Sequence, residues 1–107
     1  MIKVLVKRNA EGNIHALTVE GHSGYAEHGQ DIVCAGVSAL MQMIPIALSS
    51  LDKTAVEHMQ ESGSFRVSVS KLPNNEANMK AAFLMDSVLR TLLEMQKSYE
   101  GFIEIIE

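Results

Sequence analysis

Polar and apolar residues alternate over residues 2–8, with Lys3 and Lys7 set between Ile2, Val4 and Val6. A period of two is that of a strand, whose successive side chains leave opposite faces of a sheet. Asn9-Ala10-Glu11-Gly12-Asn13 supplies turn residues, and alternation resumes over residues 14–20, where Leu17 and Val19 flank Thr18. The two segments predict an antiparallel hairpin. Residues 21–31 then carry Gly21, Gly24 and Gly29 and no apolar period. That is a long loop for a compact domain, and long loops are often functional. Its few apolar residues give it little to pack with, which predicts a loop that orders on substrate.

The period changes after the loop. Asp31 is a good N-cap, because its carboxylate can accept from first-turn amides. Residues 32–49 are apolar on nearly every side, through Ile32, Val33, Val37, Leu40, Met41, Met43, Ile44, Ile46 and Leu48. Such a helix is expected to be buried, in the core or across a subunit interface. Pro45 could bend it. Residues 54–60 and 64–71 predict a second hairpin that turns at Glu61-Ser62-Gly63. Pro73-Asn74-Asn75 breaks the strand and leads into a helix over residues 76–99. Its stripe is Ala81, Met85, Val88, Leu92, Met95 and Tyr99, widened by Phe83 and Leu89. Gly101 ends the helix, and Phe102 to Ile106 reads as a last strand. The order β-β-α-β-β-α-β predicts an α+β fold, with two helices packed on one mainly antiparallel sheet. Residues 1–107 are expected to form one domain.

Composition narrows the function. With 47% hydrophobic and 21% charged residues the chain is expected to fold on its own. The 13 acids less 9 Lys and Arg give −4, which argues against direct nucleic-acid binding. No apolar run is expected to reach the roughly 18–20 residues of a membrane span. Met1-Ile2-Lys3-Val4 leads straight into a strand rather than a leader. One cysteine excludes an internal disulfide and fits a reducing cytosol, so the expected location is cytoplasmic. Any thiol chemistry must belong to Cys34, and the seven methionines are expected in the core.

Cys34 falls three residues after the predicted cap, in the first helical turn. A helix start favours the thiolate, which is the nucleophilic form, and its amides can face a developing oxyanion. The plainer reading is a small packed hydrophobe. His22 lies twelve residues earlier, in the loop that leads to the helix, between Gly21 and Gly24. Cys–His chemistry needs an imidazole about 3 Å from the sulfur to accept its proton; a solvated loop histidine is the alternative. His22, His28 and Cys34 are evenly spaced, but the spacing matches no familiar zinc pattern and lacks a fourth ligand. No metal and no cofactor is expected. His15 and His58 fall in strand patterns and are expected at an edge or surface. Asp31 can simply cap the helix, or also orient His22. Ser38, one turn beyond Cys34, is expected to bond the carbonyl four residues back, or else to line a pocket.

The run Gly21-His22-Ser23-Gly24-Tyr25-Ala26, followed by Gly29-Gln30-Asp31-Ile32-Val33-Cys34-Ala35-Gly36-Val37-Ser38, resembles the ribosomal-processing cysteine protease family. The chain length, the opening hairpin and the long C-terminal helix are also similar. The resemblance implies a cytosolic endopeptidase with a Cys–His dyad at Cys34 and His22. It implies as substrate the precursor of large-subunit ribosomal protein twenty-seven, cut after an aromatic pair to remove a short N-terminal extension. It further implies a homodimer. Gly21, Ser23, Gly24 and Tyr25 would form the substrate loop, with Asp31, Ala35 and Ser38 in support. His28 is outside the pattern.

Together these readings predict acyl transfer. His22 takes the Cys34 proton, the thiolate attacks the scissile carbonyl, and amides of Cys34 or Ala35 hold the oxyanion. The acids near the motif, Glu20, Glu27 and Asp31, together with the net charge of −4, suit a basic substrate tail. A non-catalytic peptide- or ribosome-binding module and a thiol redox sensor are the other readings.

Overall fold

The computed structural model describes residues 1–27 and 29–107. Along the chain run β1 (Ile2–Arg8), β2 (Ile14–Glu20), α1 (Ile32–Ser49), β3 (Val56–Glu61), β4 (Ser64–Val69), α2 (Asn75–Ser98) and β5 (Ile103–Ile106). This is the α+β order that the patterning predicts. Boundaries differ by a residue or two, most at Thr54 and Ala55. These lie in a 3-10 turn rather than a strand, because Asp52 accepts from the Thr54 amide at 2.9 Å and hydroxyl at 2.7 Å. Asn74 caps α2 by accepting from the Ala77 amide at 2.8 Å.

The strands form one sheet in the order β3-β4-β2-β1-β5. Only the β1–β5 pair is parallel; the other neighbours are antiparallel. Apolar rows cross the sheet. Val6 pairs with Leu17 and Leu17 with Val67, while Val4 pairs with Val19 and Val19 with Phe65. The β1–β2 register passes from Lys7↔Ala16 to Arg8↔Ile14 and skips His15. That irregularity lets Ile14 join Leu17 in the core despite the odd spacing. His15 is therefore half-buried in an interior strand, not at an edge. His58 is exposed on the edge strand β3 and stacks against Phe65.

Both helices join the same core as the inward strand residues. Val33, Val37, Met41, Ile44 and Leu48 of α1 meet Ala81, Met85, Val88, Leu89 and Leu92 of α2 in one cluster. Each large apolar side chain so buried contributes about 1.5–3 kcal/mol. In the single chain one stripe of α1 lies in this core, while Ile32, Met43 and Ile46 face outward, where a subunit interface would have to cover them. Three expectations need correction here. Phe83 is 77% exposed, because it sits two residues from both Ala81 and Met85 and so nearly opposite them on the helix. Of the methionines, Met41 and Met85 are buried, but Met1, Met43, Met59 and Met79 are exposed. The 18 residues of α1, with no charge among them, also meet the length and composition of a membrane span, contrary to expectation. Its inner stripe is used to cover the sheet.

The topology positions the loop. Glu20 at the end of β2 pairs with Ser64 at the start of β4, so the β3–β4 turn lies beside Gly21. The Gly21 amide donates to the Gly63 carbonyl at 2.8 Å.

Candidate active site

The loop leaves β2 through a residue that must be glycine. Gly21 has φ +88°, and a Cβ there would lie 2.8 Å from the Met1 carbonyl oxygen. His22 follows, exposed, with its ring beside the β3–β4 turn. A Cβ added to Gly63 would come within 3.4 Å of His22 Nε2. Cys34 is half-buried in the first turn of α1, as expected. His22 and Cys34 line one cavity of about 570 Å³. Among the described residues no hydrogen bond joins the two.

Asp31 is the N-cap of α1. One carboxylate oxygen, Oδ1, accepts from the amides of Val33 and Cys34, each at 3.0 Å. The other, Oδ2, accepts a short bond from the Ser23 hydroxyl and a longer one, 3.4 Å, from the Ala26 amide. Burial opposes the charge on Asp31. The Ser23 hydroxyl and the amides of Cys34 and Ala26 outweigh it, and hold the carboxyl at about 2, below the usual 3.8. The capping reading is therefore the one found. The carboxylate orients Ser23 and not His22.

The sulfur's partner in the loop is Ser23. Its amide donates to Cys34 Sγ at 3.4 Å, and its hydroxyl oxygen lies 3.6 Å from the same sulfur. This changes the expected oxyanion donors. The Cys34 amide is already given to Asp31 Oδ1, and the Ala35 amide donates to the Asp31 carbonyl at 3.0 Å. A helix cap and the first helical bond use both groups, so neither is free in this arrangement. Of the two readings for Ser38, the structure shows the pocket-lining one. Its hydroxyl accepts from Gln42 Nε2 at 2.8 Å, and the residue lines the cavity.

Of the expected substrate loop, Gly21 and Gly24 line the cavity. Ser23 is buried beneath it, 4% exposed. Tyr25 packs elsewhere: its ring meets Tyr99 and Phe102 edge-on, at centroid distances of 5.6 Å and 5.2 Å. The expectation that the loop has little to pack with is corrected by these contacts. His28, weighed as a third zinc ligand, lies outside the described residues.

One wall of the cavity went unnoticed in the sequence. Gln60, Glu61, Ser62, Gly63 and Ser64 line it from the β3–β4 turn. They read as an ordinary hairpin turn, and only the pairing of β2 with β4 brings them opposite α1.

The family model for cysteine protease Prp matches residues 1–104. The chain belongs to this family. It is a cysteine protease. A curated relative, the ribosomal processing cysteine protease Prp of Bacillus subtilis, is 27% identical over 107 residues, covering 98% of this chain and 96% of its own. A crystal structure of the Staphylococcus aureus ribosomal processing protease, in complex with a covalently linked product peptide, is similar to this protease at a TM-score of 0.83 and 27% identity. That similarity covers 98% of this chain and 97% of the other. A second structure of the Staphylococcus aureus enzyme, with a substrate peptide, has a TM-score of 0.79 at 25% identity over 99% and 98% of the two chains.

Proposed function

We propose that this protease removes the short N-terminal extension of large-subunit ribosomal protein twenty-seven, with Cys34 as nucleophile and His22 as general base. The observation that carries this reading is the shared cavity. The chain's one cysteine sits at a helix start, half-buried, in the same 570 Å³ space as His22. The relatives named as ribosomal processing proteases support the substrate class.

The chemistry follows from the groups present. The imidazole of His22 takes the proton of the Cys34 thiol, and the sulfur forms a bond to the scissile carbonyl carbon. Negative charge collects on the carbonyl oxygen. The Ser23 amide donates to the sulfur at 3.4 Å and so holds it in place for the attack. The imidazolium then protonates the leaving amine as the C–N bond breaks, and water hydrolyses the thioester. His22 must leave the Gly63 side of the cavity to reach the sulfur, a movement that a bound peptide between the two walls would drive. Asp31 and Glu61 are the carboxylates among the described lining residues, and no Lys or Arg is among them, which suits a basic chain on the leaving side.

A homodimer belongs to the same reading. Ile32, Met43 and Ile46 on charge-free α1 offer an apolar surface to a second copy. Ile46→Glu is expected to shift the mass measured by light scattering from dimer to monomer; a monomeric wild-type protein contradicts this. The chain's single cysteine, which rules out an internal disulfide, fits a reducing compartment such as the cytoplasm.

The substrate is tested with the ribosomal protein from the same organism. Mass spectrometry is expected to find one cut, after an aromatic pair, releasing the extension. An intact precursor after prolonged incubation overturns the assignment.

A further inference from the structure

Ser23 is a buried hydroxyl with three neighbours and one proton. Its oxygen lies against Asp31 Oδ2, accepts from the Tyr25 amide at 3.1 Å, and stands 3.6 Å from Cys34 Sγ. A carboxylate can only accept, so the hydroxyl proton goes to Asp31. One lone pair goes to the Tyr25 amide. The lone pair that remains can only accept, and the one donor left is the Cys34 S–H. With that assignment every group is satisfied; among the described residues no buried side-chain polar atom lacks a partner.

We propose that Ser23 is a positioning residue that stores the resting nucleophile as a thiol, its hydroxyl oxygen accepting the Cys34 S–H while Asp31 holds the hydroxyl's own proton away from the sulfur. The proposal rests on Cys34 being the nucleophile. A hydrogen bond made to the neutral form of a group disfavours its charged form. A thiolate in the same place would face an oxygen lone pair, and the hydroxyl could relieve this only by leaving the carboxylate. The Asp31 charge opposes the thiolate in the same sense. The Ser23 amide, 3.4 Å from the sulfur, donates in either state and keeps the sulfur in place when the proton leaves. In the reaction the S–H bond breaks, the proton passes to the His22 imidazole, and the sulfur exchanges its Ser23 hydroxyl contact for the substrate carbonyl carbon. Substrate that brings His22 across the cavity thus unlocks the thiol. Asp31, His22 and Glu61 are the ionisable groups lining the cavity among the described residues besides Cys34 itself. His22 and Glu61 stay constant in the comparison below.

The test is the rate of Cys34 alkylation by iodoacetamide in the free enzyme at about pH 6 and about pH 9.5, either side of the usual range for a free thiol. Ser23→Ala is expected to react about three- to tenfold faster than wild type at the lower pH, the worth of one hydrogen bond. The two rates should converge at the higher pH. Asp31→Asn keeps a capping side chain but frees the hydroxyl to turn toward the sulfur, and should accelerate the low-pH reaction further. Ser23→Thr retains the hydroxyl and should return the wild-type rate at both. Equal rates for wild type and Ser23→Ala at the lower pH overturn the proposal. So does an acceleration equal at both pH values, which reports access alone. Cleavage by Cys34→Ala is measured alongside. Turnover in that variant removes the nucleophile assignment itself, whereas an inactive Cys34→Ala with flat alkylation removes only the role of Ser23.

Discussion

The ring of Tyr25 meets the ring of Phe102 at 5.2 Å between centroids and 74° between planes. This edge-on contact fastens the middle of the glycine-rich loop to the start of the last strand. Such aromatic pairs are worth about 0.5–1.5 kcal/mol each beyond the area they bury. Amide exchange should therefore show the loop around Ser23 and Tyr25 protected in the free protein, and Tyr25→Ala should speed that exchange. Identical exchange in the two proteins would show that the rings do not hold the loop.

Gly21 cannot be replaced without moving the chain. Its φ of +88° disfavours any side chain, and a Cβ would lie 2.8 Å from the Met1 carbonyl oxygen. Gly21→Ala is expected to lower the Tm by roughly 5–10 °C, the effect of about 1–2 kcal/mol in a chain of this size. Cleavage should fall as well, since His22 is the next residue. An unchanged melting curve would contradict the close approach.

Much of this was legible in the sequence, for physical reasons. The alternation of Ile2, Val4 and Val6 and the helical spacing of Ala81, Met85, Val88 and Leu92 follow from which face meets the core, and the structure buries these residues. The cap at Asp31 was equally plain, because a carboxylate before an apolar run has one common use. What depends on contacts distant in sequence was not visible. Alternation alone does not say that β4 pairs with β2, so the Glu61–Ser64 wall of the cavity stayed hidden. Nor does it say that Ser23, rather than His22, stands against both Asp31 and Cys34. Phe83 shows the opposite error, in which apolar character stood in for burial.

The carboxyl of Asp31 gives the fold an acid limit. Its folded-state value of about 2 is below the 3.8 of the unfolded chain, so its contribution is complete above about pH 5 and is lost as pH falls from about 4 to about 2. Asp52, lowered by the Thr54 hydroxyl and amide, acts in the same direction. Denaturant midpoints measured across this window should fall less steeply for Asp31→Asn than for wild type. Parallel curves would mean that the Asp31 hydrogen bonds carry no net stability.

His22 and Cys34 share a cavity without a hydrogen bond among the described residues, so their roles separate experimentally. His22→Ala should cut peptide cleavage at least about a hundredfold, the usual worth of a general base. Alkylation of Cys34 in the free variant should stay at the wild-type rate. A large fall in alkylation would show that the pair is already assembled at rest.

The central claim is that the sulfur of Cys34 forms the bond to the substrate. Its most direct test is the single-turnover rate of precursor cleavage by Cys34→Ala, with folding checked by its melting curve. The account predicts a folded variant whose cleavage is slower by at least about a thousandfold, with Cys34→Ser nearly as slow because a hydroxyl ionises far less readily than a thiol. Cleavage by folded Cys34→Ala at a rate near wild type would contradict it.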